Sequence, residues 1–160
     1  MTTPGNDLAG DDLDRIMAVM EAAFDPAYGE AWNRRQVEDA LLLGNCHYGL
    51  IAADGNEPAP GEVAAGFFMS RTVYDEEELL LIAIAPQYRR LGLGRTLLAR
   101  FADTARERGA ERLLLEMRRG NPAEALYRSA GFNPIGLRPN YYRMPNGERI
   151  DAITFACEND

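Results

Sequence analysis

The 160-residue sequence contains no lysine, so every basic side chain in it is an arginine. That excludes a Walker A loop, in which a lysine must reach the phosphates. Histidine is present once, as His47, and cysteine twice, as Cys46 and Cys157. These are too few for a zinc cluster, and no metal site is expected. Cys46 and His47 are neighbours in the strand-like run CHYGLIAA, where successive side chains point to opposite faces. They therefore cannot act as a nucleophile and its base, and both read as packing residues. No G-x-S-x-G elbow occurs. The longest apolar run, Leu79 to Ala85, falls well short of the roughly 18 residues a membrane span needs. MTTPGNDLAG, at the N-terminus, has neither a basic start nor an apolar centre, so no signal peptide is expected. The expectation is a soluble cytoplasmic protein that contacts neither membrane nor nucleic acid.

What is present fits one globular domain over residues 1–160, with 46% hydrophobic and 26% charged residues and no internal repeat. The formal net charge of −8 hides a segregation. Residues 1–85 carry four arginines against sixteen acidic residues, a balance of −12, while residues 86–149 carry thirteen against six, a balance of +7. The first part suits a cationic partner and the second an anionic one.

Periodicity places the elements. DLDRIMAVMEAAF (12–24) sets Leu13, Ile16, Met17, Met20 and Phe24 on one helical face, and RRQVEDALLL suggests a second helix. Strands are expected over 46–53, 62–74 and 78–85, the last apolar on both faces and hence central. GRTLLARFADTARERG reads as an amphipathic helix and ERLLLEM as another central strand. In NPAEALYRSAG, Asn121 is the expected N-cap, Pro122 the first helical residue and Glu124 the partner in a capping box. Two strands around Asn146-Gly147 close the chain.

RRLGLGR, at residues 89–95, follows the central strand and opens a helix. Glycines there let a ligand approach the backbone, and the free amides of a helix start attract an anion, so a phosphate ligand is expected. A dinucleotide site would fit Gly92-Leu93-Gly94, with Glu116 at ribose distance, but Leu97 stands where the third glycine belongs and too little chain follows for that fold.

The same residues, RRLGLG, resemble the R-x-x-G-x-G acyl-CoA signature of the GNAT superfamily of N-acetyltransferases. IAIAPQYRRLGLGRTLL, LLLEMR and ALYRSAGF follow in the family's order, and NYYRMPNGERIDA is similar to the closing segment of bacterial ribosomal-protein alanine N-acetyltransferases of the RimI type. The resemblance implies an α+β domain with a mixed, mostly antiparallel sheet of six or seven strands flanked by about four helices. It implies an acyl-CoA-binding part over about 78–149 and an acidic acceptor side over about 1–85. Ile82, Ala83 and Ile84 would lie along the pantetheine arm. Arg89, Arg90, Leu91, Gly92, Leu93, Gly94, Arg95 and Thr96 would hold the pyrophosphate of acetyl-CoA, with Asn121 close by. Trp32, matching a Pro-Trp-Ser element, and Tyr141 and Tyr142 would contact the acceptor.

Acetyl transfer needs a neutral amine, donors for the developing oxyanion and a proton for the departing thiolate. Glu116 follows three leucines, where an unused carboxylate is costly. By resemblance it is the general base, acting through water; the alternative is a carboxylate satisfied by a neighbour such as Arg118. Tyr127 matches the tyrosine that protonates the thiolate, or else is a core aromatic. The segment before ALYRSAGF is one residue shorter than in the relatives, so either Gly120 or Asn121 takes the position of their usual Asn. The expected reaction moves acetyl from acetyl-CoA to an amine, foremost the N-terminal α-amine of a protein such as a ribosomal protein. A small polyamine or amino-sugar is the alternative acceptor, and a non-catalytic acyl-CoA sensor the alternative of another class.

Overall fold

A computed structural model describes residues 10–26 and 29–158. Helix α1 (Gly10–Ala23) buries Leu13, Ile16, Met17, Val19 and Met20, while Phe24 lies just past its end, half-buried. Helix α2 (Arg34–Leu42) starts at a reciprocal capping box. Asn33 Oδ1 accepts the Gln36 N–H at 2.8 Å, and Gln36 Oε1 accepts the Asn33 N–H at 2.8 Å. The box expected at Asn121 and Glu124 does not form. Helix α4 runs only over Glu124–Ser129, because Asn121 Oδ1 accepts the Ala123 N–H at 2.9 Å and holds the preceding residues in a turn. Glu124 reaches forward instead, to Arg128 at 2.7 Å.

Six strands form one sheet: β1 (Cys46–Ile51), β2 (Gly66–Val73), β3 (Glu76–Ile84), β4 (Arg112–Arg118), β5 (Asn133–Arg143) and β6 (Arg149–Glu158), in the order β1-β2-β3-β4-β6-β5. All neighbours are antiparallel except β3 and β4, which are joined by the crossover helix α3 (Leu93–Glu107). The strand expected from residue 62 begins at Gly66, since residues 62–65 form no ladder.

Two features of β3 organise everything around it. Its pairing with β2 shifts between Met69 and Ser70, which face Leu81 and Leu79, so Leu80 is an extra residue in the ladder. The bulge inverts the side-chain parity. Leu79 packs with α3 and α4, whereas Leu81 and Ala83 pack with α1 and α2, and Ile82 and Ile84 take over the α3 side. At the same level β3 and β4 part company: their ladder ends at Leu79 and Leu115. The β4-facing edge of residues 80–84 is thus left without a strand partner, and a gap opens through the sheet.

The cores follow from this geometry. On one face α3 inserts Leu93, Leu97, Leu98, Phe101 and Ala105 against Phe68, Leu113, Leu115 and Phe155, with the Phe101 and Phe68 rings edge to face at 5.7 Å. On the other, α1 and α2 cover Phe67, Met69, Leu81 and Ala83. No helix among the described residues is long and apolar enough to cross a membrane.

Away from the gap, Glu77 is fully buried yet charged. Burial pushes its carboxyl up, but the Arg108 guanidinium, which donates from both Nε (3.0 Å) and the terminal nitrogen, and the Ser70 hydroxyl at 2.6 Å outweigh that and hold it below the usual range. Thr72 Oγ1 also reaches Glu77 at 3.2 Å and lies 2.9 Å from His47 Nε2. Burial, and then the charge of Arg108, depress the His47 pKa against the opposing pull of Glu77.

Arg108→Ala leaves Glu77 charged and buried, so it should cost about 3 kcal/mol in urea unfolding, the low end for a buried pair because Arg108 is part-exposed. Both depressed pKa values stabilise the fold above the unfolded-state values and lose that contribution as pH falls through the folded ones. His47 should therefore contribute to a drop in the thermal midpoint from about pH 7 to about pH 5, and His47→Gln should flatten that segment of the curve. An unchanged slope in the variant would contradict the assignment.

Candidate active site

The chain leaves β3 through a single 3-10 turn, Pro86–Tyr88, and enters α3 at Leu93. Gly92 is the N-cap of α3 at φ +79°, a left-handed conformation that favours glycine, and contributes no side-chain cap. The first-turn amides are therefore directed outward at the positive end of a fifteen-residue helix. They face a groove of about 890 Å³, a volume suited to a large ligand. Gly94 lies in its floor. A Cβ there would meet Leu126 at 3.5 Å and Ile84 at 3.8 Å, so small additions fit but a large side chain would fill the groove.

Of the residues expected at the cofactor, Ile82, Ala83, Ile84, Arg89, Arg90, Gly92, Leu93, Gly94, Arg95 and Asn121 all line this groove. Leu91 and Thr96 do not. Leu91 is 61% exposed on the outer side of the loop, and Thr96 turns its hydroxyl back to the Gly92 carbonyl at 3.2 Å. The guanidinium of Arg89 donates to the carbonyls of Ile84 and Ala23, each at 3.0 Å, tying the loop to the end of α1 and fixing the groove wall. Arg90 sits at φ +67°, a strained position for a residue with a side chain. Gly120 and Asn121 both border the groove, so the shorter loop keeps an amide side chain at its rim. Helix-start amides, flanking arginines and an unpaired strand edge fit the pyrophosphate and extended arm of coenzyme A.

Tyr127 lines the same groove from α4 and is 7% exposed. Burial, reinforced by the charge of Glu30, pushes its hydroxyl up to about 12, so it stays protonated at neutral pH. Glu116 lies on the opposite face of the sheet. The alternation of β4 turns Leu113, Leu115 and Met117 toward α3 and α4, leaving Glu116 and Arg118 on the side of α1 and α2. Glu116 does not pair with Arg118. Its Oε2 accepts the hydroxyl of Thr154, its register partner on β6, at 3.2 Å, and contacts Arg138 Nε of β5 at 3.3 Å. Arg118 Nε contacts Glu30 instead, at 3.6 Å, reaching across to the segment between α1 and α2.

On the same side Tyr141 and Tyr142 pack edge to face at 5.2 Å. Tyr141 is 49% exposed; Tyr142 is half-buried, and burial followed by the charges of Glu116, Tyr141 and Glu30 raises it to about 12. Trp32 packs against the α1 and α2 core beside this region. The expected residues therefore divide between the two mouths of one gap: loop, helix start and Tyr127 on one side, Glu116 and the tyrosine pair on the other. Glu30, whose charge acts on both Tyr127 and Tyr142, joins them, and nothing in the local sequence around it announces this. Arg138 and Thr154 were likewise not singled out, because their meeting with Glu116 depends on strand register.

Residues 13–132 match the model of the acetyltransferase (GNAT) family. The chain is 42% identical over 92 residues to a [ribosomal protein bS18]-alanine N-acetyltransferase of Haemophilus influenzae, covering 58% of this chain and 63% of that protein, so the match spans under two thirds of the relative's length. It is 34% identical over 145 residues to a putative protein of the same name from Bacillus subtilis, covering 89% of this chain and 87% of the relative. Among solved structures, the ribosomal-protein-S18-alanine N-acetyltransferase of Escherichia coli superposes with a TM-score of 0.69 at 31% identity, covering 94% of this chain and 90% of that one.

Gly94→Trp should fold, since a Cβ at Gly94 meets only the side chains of Leu126 and Ile84 at ordinary contact distance, yet lose coenzyme A binding by at least about tenfold, because the indole occupies the space beside the helix-start amides. Calorimetric titration with coenzyme A decides it, and undiminished affinity in a folded variant would remove the groove from consideration.

Proposed function

The chain belongs to the acetyltransferase (GNAT) family, and from that premise we propose that it transfers the acetyl group of acetyl-CoA to the N-terminal α-amine of a protein, with a ribosomal protein beginning in alanine as its acceptor. The observation that carries this reading is the gap between β3 and β4, which has a buried protonated tyrosine at one mouth and a carboxylate at the other. Acetyl-CoA supplies an activated thioester. The groove residues would hold it with the arm along the free edge of β3, bringing the thioester toward Tyr127. Glu116 accepts, through water, the proton that the α-amine must lose before its nitrogen can attack the carbonyl carbon. As the new C–N bond forms and the C–S bond breaks, Tyr127 donates its hydroxyl proton to the leaving sulfur, and the second proton shed by the nitrogen passes to solvent, from which Tyr127 regains its own.

The acceptor follows from chemistry and charge. An α-amine has a pKa near about 8 and a lysine amine near about 10.4, so one carboxylate working through water releases far more neutral nucleophile from a chain end. Tyr141 and Tyr142 narrow the acceptor side around an extended terminus, and the −12 balance of residues 1–85 draws a basic segment behind it. The named relatives act on the alanine terminus of ribosomal protein S18, which supports the same assignment. That charge balance also suits a small polyamine, so the contrast must be measured.

Glu116→Gln and Tyr127→Phe should each lower turnover by roughly 10² to 10⁴ while coenzyme A affinity stays near wild type. Wild-type turnover in both would show the roles to be wrong, and would leave a non-catalytic acyl-CoA sensor as the better reading if the parent protein also transfers nothing. For the acceptor, a basic peptide beginning with Ala should be acetylated faster than the same peptide with a blocked terminus and an internal Lys, and faster than spermidine. The opposite ranking would keep the acetyltransferase and discard the N-terminal acceptor.

A further inference from the structure

Resting on the acceptor reading above, we infer that Arg138 is a displaceable latch on Glu116, which gives way as the chain end enters to the acceptor's own α-ammonium and the water that bridges it to the carboxylate. Four observations converge on it. Arg138 Nε lies 3.3 Å from Glu116 Oε2, the same oxygen that accepts the Thr154 hydroxyl at 3.2 Å. Among the described residues these two are the polar partners of the Glu116 side chain. An incoming cation drawn to that oxygen, directly or through a bridging water, therefore competes with the guanidinium for the charge of the carboxylate, whereas the neutral Thr154 hydroxyl, set opposite Glu116 by strand register, offers no charge to compete with.

The two partners also differ in freedom. The Glu116 side chain is 19% exposed and the Arg138 side chain 60% exposed, so the carboxylate is held while the arginine is free to swing. The guanidinium lies 5.1 Å from the centre of the Tyr141 ring, a cation–π position that remains available to it once it leaves Glu116. Finally, Arg138 is the last residue before the β5–β6 register breaks, resuming at Tyr142. Between them Asn140 sits at φ +53° with its N–H held by Asp151 at 2.9 Å, so Arg138 stands at the edge of an irregular stretch beside the acceptor side.

The exchange is chemically selective. An exposed ion pair is weak, so an ammonium of equal charge replaces the guanidinium at little cost, whereas water or a blocked, uncharged terminus brings no charge to compensate the carboxylate. Among the described residues, the other charged and titratable groups around it include Arg118 of β4, Glu30, Tyr141, Tyr142, and across the gap Tyr127. Arg118 is directed at Glu30, with its Nε 3.6 Å from the carboxylate, and not at Glu116. Arg138 is accordingly a positioning residue, acting through Glu116.

The test uses the full chain loaded with coenzyme A and a fluorescent basic peptide beginning with Ala, with its N-terminus free or acetylated, read by anisotropy. In Arg138→Gln the free peptide should bind about twofold to fivefold tighter than to wild type, and the acetylated peptide should gain nothing. Arg138→Lys, which restores the competing charge, should return the free peptide to wild-type affinity. Arg138→Met, which keeps the apolar stem, gives the same pattern as Gln and serves if Gln fails to fold. An equal gain for both peptides would mean a long-range charge effect, and an unchanged or weakened free peptide would mean Arg138 helps hold the acceptor; either result overturns the latch. Acetyl transfer by the wild type is followed separately. No transfer to the free terminus defeats the acceptor reading, whereas transfer without a terminus-specific gain in Arg138→Gln defeats the latch alone.

Discussion

The structure depends on a failure of strand pairing. β3 and β4 are held together only as far as Leu79 and Leu115, and the extra residue Leu80 in the β2 ladder falls at the same level. Below this point the sheet is continuous, with Glu77 locked to Arg108 and Ser70. Above it an unpaired strand edge faces a gap, and unpaired backbone groups need a partner. An extended ligand arm could supply one. The bulge further ensures that the strand lining the gap presents Ile82 and Ile84 to the α3 side while Leu81 and Ala83 remain in the core beneath α1 and α2. The two cores are therefore complete on either side of an opening that would otherwise be filled by side chains.

That opening explains why the site is assembled from opposite faces. A proton donor and a proton acceptor on one face of a sheet would have to share a pocket with both substrates. Here Tyr127 reaches the gap from α4 beneath the sheet, in an apolar setting that keeps its proton, and Glu116 reaches it from above, in a polar setting of Thr154, Arg138 and Tyr142. The segregation of charge along the chain becomes spatial in the same way. The arginine-rich loop and helix start line the groove, a setting that suits an anion, and the acidic first half suits a cationic partner.

Polar groups were read well from the sequence where one segment contains the whole interaction, and poorly where two must meet. Gly92 and Gly94, with the arginines around them, form a local device of strand, turn and helix start, so their place at the entry to a helix after the central strand was legible from residues 78–98 alone. The Asn146-Gly147 turn was legible for the same reason, with Asn146 accepting the Glu148 N–H at 2.9 Å. The capping box was assigned to the wrong helix: Asn121 and Asn33 both satisfy the pattern, and only the turn at Ala123 and the length of α4 separate them. Arg118, next but one to Glu116 and on its face, was the natural partner by spacing, yet it pairs with Glu30 from a segment far off in sequence.

By itself the sequence determined the α+β class, the helix and strand periodicities and the glycine–arginine loop that opens α3, because each rests on the chemistry of neighbouring residues. The tertiary structure alone decided that β3 and β4 diverge, that Arg89 braces the loop through backbone carbonyls, and that Glu116 is held by Thr154 and Arg138 rather than by Arg118. The physical reason is register. Which side chains face one another across a sheet depends on where a single extra residue such as Leu80 is absorbed and on how distant strands align, and a shift of one position would turn each of these side chains to the other face.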